Sequence, residues 1–384
     1  MSCKFDQIID RCGTDSEKWC YYPQDALPLW VADMDFPSPD AVIRALHERV
    51  EHGVFGYGVE PPELREVVTE RLERLYGWNV KVEELVFLPG VVPGFNLACQ
   101  ALSLPGDGVL VQTPAYPPIL SAPANAACSR DEMLLMPGSD GRHVIDFDLF
   151  EETITGRTRV FILCNPHNPV GRVFTRRELQ RMAEICLRHN VVICSDEIHC
   201  DFVYPGHHHI PIGSLSAEVA NQTVTLLAPS KTFNTAGLHF AVAVVPNGEL
   251  RQKLCTAKRG VVGEPDILSY TAALAAYRNG QDWLDELMGY LLANRDFTFE
   301  FVQERLPGIS MARPEGTYLA WLDCRDAGIP GNLHEFFLQQ AKVVVNDGPD
   351  YGKGGEGFVR LNFGCPRSML ANALEKMERA LKAL

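Results

Sequence analysis

The chain has 384 residues, 46% hydrophobic and 22% charged, with a formal net charge of −14. That length accommodates one large domain and a smaller one. The acidic balance argues against nucleic acid as a partner, because neutralising phosphates needs a basic face, and no apolar run approaches the length that spans a bilayer.

The opening stretch, "MSCKFDQIIDRCGTD", carries charges and no apolar core, so it does not read as a signal peptide. Twelve cysteines are scattered without a CxxC pair, several inside apolar runs such as "VFILCNP" and "VVICSDE". There they act as small hydrophobes. Reduced thiols and a cytoplasmic location are expected.

The first forty or so residues, with "LPLWVADMDFPSP", read as an irregular arm. Residues 40–52 look like an amphipathic helix entered after Pro39. A glycine-rich stretch, "GVFGYG", leads to a second helix, with Pro61 and Pro62 before its acidic first turn. Strand, turn and helix then alternate. Candidate strands cover 84–88, 108–112, 159–164, 191–195, 223–228 and 240–245, and the clearest helix covers 175–189. Nearly uncharged strands alternating with helices predict an α/β domain with a mostly parallel sheet covered on both faces. After about residue 265 the pattern becomes mainly helical, followed by short strands in "GTYLAWLD" and "GFVRLNFG" and a closing helix. The expected division is an arm contributing to a small domain over 1–45, a large domain over 46–280 and a small α+β domain over 281–384.

Ligands of open α/β sheets bind beyond the carboxyl ends of the strands. Reading past each candidate strand gives Gly90-Val91-Val92, then Tyr116, then Asn165 and Asn168, then Asp196 and His199, then Ser230 and Lys231. Taken singly these are an ordinary turn, a packing aromatic, a helix cap and a solvated lysine. Together they supply an anion cradle, an aromatic plate, an amide, a carboxylate and an amine at one sheet edge. That set suits a phosphorylated pyridine aldehyde: helix-start N–H groups for the phosphate, a lysine for the aldehyde, a carboxylate for the ring nitrogen and an aromatic for stacking.

The order Gly-turn, Tyr116, "NPHNPVG", "SDEIH", "SKTFN" and "RLNFGCPR" resembles fold-type I, class I/II aminotransferase-like enzymes that use pyridoxal 5'-phosphate. "WVADMDFPSP", "FGYG", "SDEIHCDF", "APSKTFNTAGL" and "GTYLAWLDCR" resemble the MalY/PatB cystathionine β-lyase group. The resemblance implies that Lys231 is the Schiff-base lysine, Asp196 the ring-nitrogen carboxylate, Asn168 the ring-oxygen amide and Tyr116 the stacking ring. Gly90, Val91, Val92 and Ser230 fall in the phosphate-binding turns, and His199 stands where aminotransferases often place a tyrosine; the β-lyase group shows the same histidine. Tyr57 matches a tyrosine that reaches the cofactor phosphate of the neighbouring subunit, with a catalytic and substrate-contacting role, so a homodimer with shared sites is implied. Arg360 matches the arginine gripping the substrate α-carboxylate, a job suited to a planar fork. Two positions depart from the pattern: Ala228 replaces a common serine and His239 a common arginine, both phosphate contacts. Ser230, Thr232 or Tyr57 is expected to compensate.

Asp33 and Asp35 in "VADMDF" form either an acid–base pair or a turn lining the substrate pocket, and the latter is preferred. Consecutive histidines at 207–209 cannot all converge on one ion, so no metal is expected. The glycine-rich stretch at 352–357 is expected to be a flexible lid. The implied reaction is β-elimination from L-cystathionine or another cysteine conjugate, giving a thiol, pyruvate and ammonia. Transamination of an L-amino acid is the alternative, and a regulatory or binding role with incidental catalysis is the third reading.

Overall fold

The computed structural model describes residues 4–384. Seven strands form its main sheet: β1 (Leu85–Leu88), β2 (Gly108–Thr113), β3 (Ser129–Leu134), β4 (Thr158–Cys164), β5 (Val192–Asp196), β6 (Thr223–Leu227) and β7 (Ala241–Val244). Their spatial order is β1-β7-β6-β5-β4-β2-β3. Only β7 runs antiparallel to its neighbours, so the other six strands share one carboxyl edge. Alternate residues divide between the faces, as a period of two demands. Val109, Val111, Val160 and Ile162 pack on one side, and Leu110, Phe161, Leu163 and Ile193 on the other. Both faces are covered, which is why these runs carry almost no charge.

β3 was not among the expected strands. Its sequence, SRDEML, has no apolar alternation because it sits at the sheet edge with only Met133 fully buried. Charged side chains there oppose edge-to-edge pairing.

The expected helices appear within a residue or two: α2 (Asp40–Glu51), α3 (Leu64–Tyr76) and α5 (Arg176–Arg188). Thr175 and Glu178 form a reciprocal capping box at the start of α5. Preceding them in the arm is the single turn α1 (Glu17–Cys20). Between β1 and β2 lies α4 (Val91–Leu102). The chain then continues through α6 (Ile267–Asn279), α7 (Gln281–Arg305) and the closing α8 (Arg367–Lys382).

A second, three-stranded antiparallel sheet comprises β8 (Leu319–Asp323), β9 (Asn346–Asp347) and β10 (Phe358–Asn362), with β10 central. The arm joins this part of the chain, residues 27–28 pairing in parallel with 343–344. The 352–357 stretch does not have the form of a flexible lid. It is a folded turn in which Gly355 is buried against the backbone of Gly348, with Gly355 N donating to Gly352 O at 3.0 Å and Phe358 N to Gly355 O at 3.1 Å.

Candidate active site

A cleft of about 850 Å³ opens at the carboxyl edge of the main sheet. Six strands deliver residues to it. Gly90, Val91 and Val92 follow β1, Tyr116 follows β2, Asn168 follows β4, Asp196 ends β5 with His199 just beyond, and Ser230 and Lys231 follow β6; all line the cleft. Antiparallel β7 enters from the same edge, so His239 lines the cleft from the residues before that strand. Asp33 and Arg360 complete the group, from the arm and from β10.

The Val-Val-Pro sequence starts α4 directly after Gly90, so unpaired N–H groups face the cleft. A Cβ on Gly90 would lie 3.3 Å from Pro93 Cδ, which favours glycine at this close turn. Ser230 and Lys231 lie on a single helical turn that begins with Pro229.

Burial sets the electrostatics. Lys231 donates from Nζ to the Ala32 carbonyl at 2.8 Å. Burial pushes its pKa down to about 8, against the pull of Asp33. Burial likewise raises the Asp196 carboxyl to about 7, although its oxygen accepts a bond from Ile198 N at 3.1 Å. His199 is driven down to about 3 by burial, with the Lys231 and Arg360 charges adding to the effect, so it is neutral. Its Nδ1 has no hydrogen-bond partner. Tyr116 is held above its ordinary pKa by burial and stays a phenol.

Arg360 is buried and oriented by three acceptors: Asn168 Oδ1 at 3.0 Å, the Trp30 carbonyl at 2.6 Å and Asn346 Oδ1 at 2.6 Å. The two side chains expected to meet a ring oxygen and a substrate carboxylate are thus in contact with each other.

Several expected residues lie elsewhere. Thr232 is buried, and its hydroxyl donates to Asp201 Oδ2 at 2.8 Å, so it does not compensate at the phosphate turn. Tyr57 is fully exposed within this chain and is outside the cleft. Asn165 is structural: its Oδ1 accepts from Phe174 N at 3.0 Å. Asp33 lines the cleft, but Asp35 does not; it is buried among Lys18 at 2.7 Å, Arg11 at 2.6 Å and Trp19 Nε1 at 2.8 Å. That geometry fits a pocket-lining turn. Of the consecutive histidines, His209 is buried, 2.8 Å from Glu197 Oε2.

Sequence reasoning missed the residues that brace the cleft. Arg11 bridges Asp33 and Asp35, at 2.6 Å to each. Asn234 stands at φ 54°, a region asparagine tolerates. It clamps the arm to the Lys231 segment by accepting from Met34 N and donating to the Met34 and Phe36 carbonyls. No local signal marks these: Arg11 lies 22 and 24 residues from Asp33 and Asp35, and Asn234 lies 200 residues from Met34. Asp201, two residues beyond His199, was legible only as one more charge after a strand.

The residues present fit pyridoxal phosphate. A buried amine with a lowered pKa lies in a cleft with a buried carboxyl whose raised pKa a cationic ring nitrogen would relieve. The helix start at Val91 offers N–H groups to a phosphate, and an unpartnered histidine nitrogen waits nearby. Fold and cleft together define a pyridoxal-phosphate-dependent enzyme of fold type I. The chain belongs to the class I and II aminotransferase family, whose description matches residues 24–377. It is 40% identical to cystathionine β-lyase PatB of Bacillus subtilis, over 98% of this chain and 99% of that one. The crystal structure of OvoB superposes with a TM-score of 0.95 at 45% identity, covering 99% of each chain. Cystalysin of Treponema denticola, whose crystal structure contains pyridoxal 5'-phosphate, gives 0.95 at 31% identity over the whole of both chains. Among the described residues no helix is long and apolar enough to cross a membrane.

Proposed function

We infer that the protein is a pyridoxal-phosphate-dependent carbon–sulfur β-lyase. It cleaves the Cβ–S bond of L-cystathionine or a related cysteine conjugate, taking up water and giving a thiol, pyruvate and ammonia. The observation that carries this reading is the end-to-end similarity to PatB, supported by a cleft that Lys231, Asp196 and Arg360 line together.

When bound, the cofactor supplies an aldehyde for the amino group and a ring that stabilises negative charge at Cα. Gly90, Val91, Val92 and Ser230 would hold its phosphate, Tyr116 its ring face, Asp196 its nitrogen and Asn168 its ring oxygen. Neutral His199 would pack beside the ring without adding charge. Arg360 takes the substrate α-carboxylate on its planar fork, already aimed by Asn168, Trp30 and Asn346. Lys231 serves as the base that takes the Cα proton at Nζ. A pKa near 8 leaves enough neutral amine for that task at physiological pH.

We also propose that two copies pair. Val54, Phe55, Tyr57 and Val59 are all exposed in one short stretch, and pairing would bury them while carrying Tyr57 into the other copy's cleft. A cytoplasmic location and domain boundaries near 45 and 280 remain part of this reading.

The test is to supply the holoenzyme with L-cystathionine and no keto acid, then measure pyruvate and free thiol. Steady release of both is expected, and Lys231→Ala abolishes it. Turnover that begins only when a keto acid is added overturns the lyase reading in favour of transamination. Absence of either reaction in the loaded protein points to a regulatory or binding role.

A further inference from the structure

One charge at the cleft has no role in the chemistry above. Glu17 opens α1, is exposed, and lines the same cleft as Tyr116 and Lys231. The cations around it are already committed. Arg11 is held by Asp33 and Asp35, and Lys18 by Asp35 at 2.7 Å, so these four charges cancel. Arg360 is engaged by Asn168, Trp30 and Asn346. Among the described residues, no hydrogen bond or ion pair holds the Glu17 carboxylate.

The same cleft carries an aromatic face. Trp30 lines the cleft and packs against Tyr21 and Tyr22 at 5.4 and 5.3 Å between ring centroids. A carboxylate and an aromatic face lining one cleft both attract an ammonium group, and the carboxylate repels an anion. Glu17 is also within electrostatic reach of the reacting amine: after burial, Asp33, Arg360 and Asp196, it is the next influence on Lys231.

We propose that Glu17 selects the group carried on sulfur, and that the preferred substrates are cysteine conjugates whose leaving thiol bears a positive charge. The proposal rests on the lyase reading, in which Arg360 and Lys231 engage the α-carboxylate and the α-carbon and leave the sulfur substituent to meet the remaining charge of the cleft. Glu17 acts as a specificity-determining residue and does not touch the reacting atoms.

Three probes of matched size test it: S-(2-aminoethyl)-L-cysteine, S-(2-hydroxyethyl)-L-cysteine and S-carboxymethyl-L-cysteine. Holoenzyme kcat/KM is expected to fall in that order. The ratio of the aminoethyl to the hydroxyethyl probe should drop about fivefold in Glu17→Gln, the scale of a partly exposed ion pair. Glu17→Lys should shift preference toward the carboxymethyl probe. An unchanged ratio in both variants overturns the proposal and leaves the lyase reading intact. If neither the probes nor L-cystathionine yields pyruvate, the lyase reading fails. The same ratios, taken from dissociation constants read by the cofactor's absorption change, then decide the charge preference independently.

Discussion

Removing the Asp201 carboxylate should destabilise the protein more than any surface change and loosen the turn that carries Lys231. Asp201 accepts from Arg71 Nη2 at 2.9 Å, Thr232 Oγ1 at 2.8 Å and Tyr76 OH at 3.3 Å. Thr232 follows Lys231 directly, so one carboxylate ties the lysine turn to α3. In Asp201→Ala the Arg71 guanidinium stays buried with Gln281 Oε1 at 2.9 Å and the faces of Phe233 and Tyr277. A buried charge stripped of its counter-ion costs about 3–5 kcal/mol. Replacing both partners by apolar groups, Arg71→Met with Asp201→Leu, removes the stranded charge and should recover most of that loss. Urea unfolding of the wild type, Arg71→Met, Asp201→Leu and their combination measures the cycle, with Asp201→Ala run beside them. The reasoning fails if Asp201→Ala loses less than about 1 kcal/mol, or if the double variant is as unstable as the singles summed. The pH dependence has a definite sign. Burial opposes ionisation of Asp201, but Arg71, Thr232 and Tyr76 hold its folded pKa below the ordinary 3.8. Its contribution is therefore complete above 3.8 and is lost as pH falls through the lower folded value.

Two further outcomes follow from the cleft. Capture of pyridoxal phosphate by the apoprotein needs the neutral form of Lys231, which dominates above its pKa. The capture rate should therefore rise through about pH 8, where burial places that pKa, and not near 10.5; an inflection near 10 in stopped-flow absorbance would refute the burial argument. Arg360→Lys replaces a fork with three acceptors by a single ammonium. The KM for L-cystathionine should rise about tenfold to a hundredfold, the worth of one to two charge-assisted hydrogen bonds, with a smaller change in kcat. An unchanged KM in steady-state pyruvate assays would remove Arg360 from the substrate.

The strand-end residues were legible because they depend on local facts. An apolar run long enough for a buried strand, followed by a turn, puts the next polar residue at the sheet edge wherever the chain later goes. Lys231, Asp196, Asn168, Tyr116 and Gly90 all follow that rule, and the structure brings them to one cleft. Thr232 looked equivalent to Ser230 in sequence. A one-residue step along the helical turn sends it into the interior toward Asp201 instead, a direction set by packing. The 352–357 glycines read as looseness, yet they serve close backbone contact with Gly348. Edge strand β3 carried no apolar alternation to find. What sequence alone determined was where the buried strands lie along the chain and the chemistry at their ends, because both follow from nearest-neighbour polarity. What tertiary structure alone decided was the charge pairing around them. Asn234 with the arm and Arg360 with Trp30 join residues 200 and 330 positions apart in the chain. Such pairs form only when folding excludes water and leaves each buried charge or amide one another to bind.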